Sequence, residues 1–212
     1  MENAFLPRTF SLRLSLICVT FFCQMSAEID WEEQWAIHAP HFKDGKAQVK
    51  LPTKNTFEIL PGPGFGDFSH PTTRLMVDLM TFFVSEENVF DIGCGSGILS
   101  IAARKMGASK LFACDIDKEA IKHTMKNAAF NKLDINIETP PDSKPVVLMN
   151  MIYSEQKNAW KEHKLPFTTL ITSGILTTEK KDYLTYAYNQ GWQLMHEAIL
   201  DGWLGYVFKE IA

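Results

Sequence analysis

Residues 89–103 read V-F-D-I-G-C-G-S-G-I-L-S-I-A-A, from Val89 to Ala103. Val89 to Ile92 is a short apolar run containing β-branched and aromatic residues, which predicts a buried strand. Gly93, Gly95 and Gly97 then predict a tight loop, because glycine enters backbone conformations closed to other residues. From Ile98 to Met106 the pattern is helical, and Lys110 to Cys114 reads as a second short strand. Strand, loop, helix and strand in that order form a βαβ unit with a parallel pair.

The alternation continues on both sides. Upstream, Leu75, Met76, Leu79, Met80 and Phe83 recur at helical spacing, with Thr72 or Thr73 placed to cap the start. The preceding Pro61-Gly62-Pro63-Gly64-Phe65-Gly66-Asp67-Phe68-Ser69-His70-Pro71 cannot be a helix. Thr56 to Leu60 predicts a strand, Lys43 to Lys50 a polar connection, and Asp30 with Glu33 a capping pair for a helix carrying Trp31 and Trp35 on one face. Downstream, helix Lys118 to Asn131 and strand Ile135 to Glu138 come first. Loop Thr139 to Pro145, strand Val146 to Met149, a polar helix around Glu155 to Lys164 and strand Thr168 to Thr172 follow. Helix Glu179 to Gln190 leads to strands Gln193 to Ile199 and Gly202 to Phe208, a hairpin about Asp201-Gly202. The expected fold is α/β: a Rossmann-like, doubly wound, mostly parallel sheet with one reversed strand at its C-terminal end. With 212 residues in all, 29–212 make one domain and 1–28 stand apart as an N-terminal appendage.

Composition narrows the function classes. Hydrophobic residues at 46% and charged residues at 22% suit a globular core and exclude a disordered chain. A net charge of −4 provides no broad positive field, so non-specific nucleic-acid binding is not expected. Cys18, Cys23, Cys94 and Cys114 form no C-x-x-C pair, and His38 and His41 have no acidic or thiol partner at ligand spacing, so no metal site is expected. Free thiols suit a reducing compartment and hence a cytoplasmic location. Arg8 and Arg13 before the apolar run Leu14 to Cys23 resemble a signal segment, which makes export the minor alternative. A buried strand or a true start at Met25 are the competing readings, and no other segment is a membrane candidate.

The loop at 93–97 lies between a strand and a helix, where glycines admit a ligand to the backbone and the helix N-terminus favours its negative end. The dinucleotide pattern G-x-G-x-x-G fails in both registers, at Ile98 and at Ser100, which disfavours nicotinamide and flavin cofactors. Asp115, eighteen residues after Gly97 (115 − 97) at the end of the second strand, is placed to accept the two hydroxyls of a ribose. Asp117 reads as the cap of the next helix. A tight turn with no ligand is the alternative.

The run Val89 to Ala103, with Asp115-Ile116-Asp117 after it, resembles the S-adenosylmethionine site of class I methyltransferases. In particular it is similar to the PrmA type, which methylates amino groups on protein eleven of the large ribosomal subunit. Asp30-Trp31-Glu32-Glu33-Gln34-Trp35, Pro61-Gly62, Phe65-Gly66, His70-Pro71-Thr72-Thr73-Arg74-Leu75, Asn150 before Ile152, and Ser173-Gly174-Ile175-Leu176 occur in that family's order. The resemblance implies S-adenosylmethionine as cofactor. It implies cofactor contacts by Thr72, Thr73, Asp91, Gly93, Cys94, Gly95, Gly97, Asp115, Ile116 and Asn150, with Asn150 also at the transferred methyl. It implies a protein substrate, a ribosomal protein by analogy. In the family a separate recognition domain precedes the Asp-Trp motif, whereas about 28 residues precede it here. The family's Phe-Gly-Thr-Gly-x-His loop is Phe65-Gly66-Asp67-Phe68-Ser69-His70 in this chain.

Methyl transfer from a sulfonium is an in-line displacement in which positioning and desolvation supply most of the catalysis. An amine acceptor must be neutral to react, and the carbonyl oxygen of Asn150 is suited to orient it. His70, directly before Pro71, is expected to fix its loop rather than act as a base. Asp67 is expected to line the site and attract a cationic acceptor. Small-molecule or nucleic-acid methylation is the alternative within the class, although Asn150-Met151-Ile152-Tyr153 lacks the paired prolines of many enzymes that methylate planar nitrogens. A catalytically degenerate module that only binds the cofactor is the alternative outside it.

Overall fold

The computed structural model describes residues 29–39, 41–140 and 144–211, so the expectations for residues 1–28 lie outside it. Two compact units divide the chain between Asp30 and Trp31. The second, Trp31–Ala212, carries everything described below.

Helix α1 (Trp31–His38) buries Trp35 and is followed by a three-stranded antiparallel sheet, β1 (Phe42–Lys43), β2 (Lys46–Lys50) and β3 (Thr56–Ile59). The stretch 43–50, expected to be a polar connection, is thus the end of β1, a turn at Asp44-Gly45 and the strand Lys46–Lys50, in which Ala47 and Val49 point inward and Gln48 and Lys50 outward. Alternation between one alanine, one valine and three polar residues is too faint a signal without the partner strand. The Gly/Pro-rich loop then leads to α2 (Pro71–Met80), whose cap is His70 and not Thr72 or Thr73. Pro71 occupies the first helical position, where its missing N–H is no loss, and keeps His70 extended at φ −72°, ψ 138°. The His70 ring accepts from the Thr72 N–H, while Thr72 and Thr73 are buried within the first turn.

The main sheet is built from β4 (Val89–Ile92), β5 (Leu111–Cys114), β6 (Val146–Asn150), β7 (Thr169–Leu176), β8 (Trp192–Leu200) and β9 (Trp203–Glu210), in the order β5-β4-β6-β7-β9-β8. Between them run α3 (Ile98–Lys105), α4 (Lys118–Phe130), α5 (Tyr153–His163) and α6 (Lys180–Asn189). The strands β5, β4, β6 and β7 are parallel, and β9 is antiparallel to both of its neighbours. The reversed strand is therefore not at the sheet's edge: it lies between β7 and β8, and β8 is the edge. The turn at Asp201 (φ 48°) and Gly202 (φ 82°) has the two left-handed residues of a tight hairpin and folds β9 back inside.

Ile135–Glu138 does not form the expected strand. Asn136 makes a single parallel bridge to Phe112, and the chain then meets Pro140 and Pro141, which cannot donate to a ladder. Conversely, β7 runs past Thr172 to Leu176, through a register shift at Gly174. Both faces of the sheet are covered. Val146, Leu148 and Ile171 pack with α2 and α3 residues, whereas Val147, Met149 and Leu170 face a cluster of rings including Trp160, Tyr183 and Trp192. Strands buried on both sides explain why β6 reads as a continuous apolar run from Val146 to Met149 and why Asp91 alone interrupts β4.

Candidate active site

The carboxyl ends of β4, β5 and β6 open into a cavity of about 670 Å³. It stands where the strand order turns back at β4, the position at which open α/β sheets form crevices. Of the residues singled out from sequence, Thr72, Gly93, Gly95, Asp115, Ile116 and Asn150 line this cavity together. Asp115 is held by two backbone donors, Gly95 N–H to one carboxylate oxygen and Asp117 N–H to the other, each at 3.0 Å. A carboxylate oxygen accepts more than one hydrogen bond, so both keep capacity for a ligand hydroxyl. Ile116 beside it is 91% exposed, a large apolar surface at the cavity's lip. Asp117 caps α4 by accepting from the Glu119 N–H, as expected.

Thr73, Asp91, Cys94 and Gly97 do not line the cavity but stand behind it. Thr73 is buried, and its hydroxyl accepts from the Asn150 side-chain amide at 3.4 Å, which leaves the amide oxygen free to turn elsewhere. Asp91 is buried with Oδ2 accepting from the Ser100 hydroxyl at 2.7 Å and Oδ1 without a partner. Burial, reinforced by the charge of Asp115, pushes its carboxyl up to about 6. Burial also raises the Cys94 thiol, whose sulfur accepts from Thr124, and holds Cys114 up at about 12, so neither is a nucleophile at neutral pH. Gly97, at φ 81°, starts α3.

The glycines serve a purpose the sequence did not reveal. A Cβ on Gly95 would lie 2.5 Å from the Phe65 carbonyl oxygen, and one on Gly93 would lie 2.6 Å from Cε of Met151. The space above the turn is therefore filled in part by the chain's own loop. Ser96 fastens that loop through its N–H to Phe65 O (2.9 Å) and its hydroxyl to Gly66 O (2.6 Å).

Asp67 does not line the cavity. Its carboxylate accepts from the Ser69 N–H at 2.8 Å and from the Ser69 hydroxyl, making a local turn. Asp67 is therefore not placed to draw a cationic acceptor into the cavity, contrary to expectation. Phe68, standing where the family has glycine, adopts φ 70° and packs on the core beside His41. His70 keeps the loop-fixing part expected of it, between the rings of Phe65 (5.5 Å) and Trp203 (5.2 Å). Burial lowers its pKa, against the pull of Asp67 and with the push of Arg74.

Sequence reasoning missed the wall supplied by α5, where Glu155, Asn158, Glu162 and His163 face the cavity, and Trp203 on β9. A polar helix reads as a solvated one, and no local pattern distinguishes the two. Together with Asp115 and Asp117, Glu155 and Glu162 give the cavity four carboxylates and no lysine or arginine among the described residues.

A family model for ribosomal protein L11 methyltransferase (PrmA) matches residues 8–210. The chain belongs to that family. The ribosomal protein L11 methyltransferase of Citrifermentans bemidjiense is 32% identical over 186 residues, which cover 76% of this chain and 60% of that protein. The crystal structure of the ribosomal protein L11 methylase of Lactobacillus delbrueckii subsp. bulgaricus matches with a TM-score of 0.64 at 26% identity, over 73% of this chain and 84% of that one. The structure of M. capricolum TrmK, in complex with S-adenosyl-homocysteine, shares the fold at a TM-score of 0.52 and 16% identity, over 65% and 67% of the two chains. This member of the PrmA family spans about half to two thirds of the length of the curated relatives it matches. Among its described residues no helix is long and apolar enough to cross a membrane, and no three His, Cys, Asp or Glu side chains are grouped to hold a metal.

Proposed function

We propose that the cavity binds S-adenosylmethionine and that the protein transfers its methyl group to an amino group of a protein, a ribosomal protein as in the names of its relatives. The observation that carries this reading is the charge of the cavity. Four carboxylates with no lysine or arginine suit a cationic sulfonium cofactor and oppose a phosphate-bearing one. The rest of the donor set fits as well: Asp115 has acceptor capacity for a ribose diol, Ile116 offers an apolar face to a base, and Asp91 keeps a buried oxygen without a partner beneath the turn. Thr72, Gly93, Gly95, Asp115, Ile116 and Asn150 would hold the cofactor, which supplies an electrophilic methyl on a leaving group that departs neutral.

The chain's own part is positioning. Asn150, at the end of β6, has its amide nitrogen committed to Thr73, so its oxygen is the acceptor available to orient an amine N–H. Phe65, His70 and Trp203 form the adjoining wall, which is aromatic. His70 spends Nδ1 on the Thr72 N–H, so it is not assigned as a base there. A ribosomal acceptor places the reaction in the cytoplasm.

Calorimetric titration with S-adenosylmethionine, followed by transfer of labelled methyl to ribosomal proteins, tests the reading. Micromolar binding by the wild type and its loss in Asp115→Ala are expected. A well-folded wild type that binds nothing refutes the cofactor, and binding without transfer to any protein fraction leaves a binding module.

A further inference from the structure

One titratable group outside the cavity lining is hydrogen-bonded to the loop that forms a wall of it. His123 lies on α4, 3% exposed. Its Nε2 donates to the Leu60 carbonyl at 2.7 Å, and its Nδ1 accepts from the Gly64 N–H at 3.1 Å. The backbone between those two points wraps the ring so closely that a Cβ on Gly62 would lie 2.6 Å from the imidazole Cδ2. Directly beyond, Gly64 and Phe65 line the cavity, and Phe65 is bound to the glycine turn through Ser96. One turn along α4, Asn127 accepts from Leu60 N–H at 2.8 Å and donates to Ser96 O at 2.9 Å. Helix α4 therefore ties the loop and the glycine turn together, at one point that titrates and one that cannot.

We infer that neutral His123 is a latch that positions the 60–66 loop for cofactor binding, and that its protonation releases the Gly64 end and weakens that binding. The inference rests on the function proposed above. Its physical basis is the pair of hydrogen bonds, which require the tautomer with hydrogen on Nε2 and a lone pair on Nδ1. Protonation puts a second hydrogen on Nδ1, facing the Gly64 N–H, so two donors oppose each other where one bond stood. Among the groups around the ring, the Leu60 carbonyl favours the protonated state by accepting from Nε2, but burial acts more strongly the other way. Residues 60–64 carry no titratable side chain. Helix α1 meets the ring with Trp35, at 6.0 Å, while its Glu32 carboxylate lies against Gly45. The glycine turn brings only Cys94, held neutral, and on α4 itself Lys126 opposes a second positive charge. Burial lowers the ring's proton affinity further. His123 is thus a positioning residue, distinct from His70, which lines the cavity and also uses Nδ1 as an acceptor.

The test titrates S-adenosylhomocysteine calorimetrically between pH 5 and 8 into the wild type, His123→Gln and His70→Asn, with the Gly64 amide and the His123 ring nitrogens followed by NMR in the wild type. Wild-type Kd is expected to rise as pH falls through the ring's lowered pKa, approaching tenfold per pH unit once the ring of the free protein is mostly protonated. Glutamine can donate to Leu60 and accept from Gly64 without titrating, so His123→Gln flattens this limb, whereas His70→Asn retains it. The Gly64 amide should co-titrate with His123. An unchanged limb in His123→Gln, or a Gly64 amide indifferent to His123, overturns the latch. If His123→Gln fails to fold, the wild type decides: saturating ligand must lower the His123 pKa, and an unaltered value refutes the inference. Co-titration with no ligand binding at any pH upholds the latch and defeats the cofactor reading instead.

Discussion

Asp91→Asn turns the buried carboxylate behind the glycine turn into a measurable quantity. Asp91 is 1% exposed, has one oxygen without a partner, and has its pKa raised from 3.8 to about 6, first by burial. The folded protein holds this proton more tightly than the unfolded chain does. Stability from this group is therefore present at low pH and lost as pH rises from about 4 through about 6. At 1.36 kcal/mol per pH unit, the difference between 3.8 and about 6 is about 3 kcal/mol at neutral pH. Asparagine escapes that charge but places an N–H without a partner in the same spot, which costs about 1–3 kcal/mol. The two terms nearly cancel at pH 7.5, so the informative number is the pH dependence. Integrating the linkage relation, the wild type regains about 1 kcal/mol between pH 7.5 and 5, and the variant gains none of it. Urea unfolding at pH 5, 6 and 7.5, with unchanged m values, should show Asp91→Asn losing about 1 kcal/mol relative to wild type on acidification. A difference that does not move with pH means Asp91 is already ionised at pH 5, and the desolvation argument fails.

Four further outcomes follow from the same geometry. Gly174→Ala would drive a Cβ into the Met151 carbonyl at a backbone φ of 98°, so thermal unfolding should show a loss of about 2 kcal/mol or more. His70→Ala removes the α2 cap and should destabilise by about 1 kcal/mol in urea at pH 7.5, with His70→Asn restoring most of it. Because the His70 pKa is lowered in the folded state, His70 contributes a loss of stability as pH falls from 6.5 toward that pKa, and His70→Asn lacks that share while keeping the one from His123. Trp192→Ala opens a hole among the rings of Trp160, Phe167, Tyr186 and Phe208 and should cost about 3–5 kcal/mol, read from the urea midpoint.

Local order along the chain was enough for the βαβ unit, the glycine turn and the placing of Asp115 at the end of β5, because periodicity and glycine punctuation are properties of neighbouring residues. The same holds for Asp117 as a cap and Asn150 at the end of β6. Pairings between distant segments were beyond it. Only the folded chain put β9 between β7 and β8, reduced Ile135–Glu138 to a single bridge, and paired β2 with β3. The cap of α2 passed from the threonines to His70 because Pro71 fixes where the helix starts. Gly95 proved to make room for Phe65, Asp67 turned to Ser69, and the polar face of α5 became a cavity wall. Each of these depends on which surface lies opposite a side chain. Sequence spacing sets the direction in which a residue leaves its own helix or strand, while what it meets there is decided by segments tens of residues away.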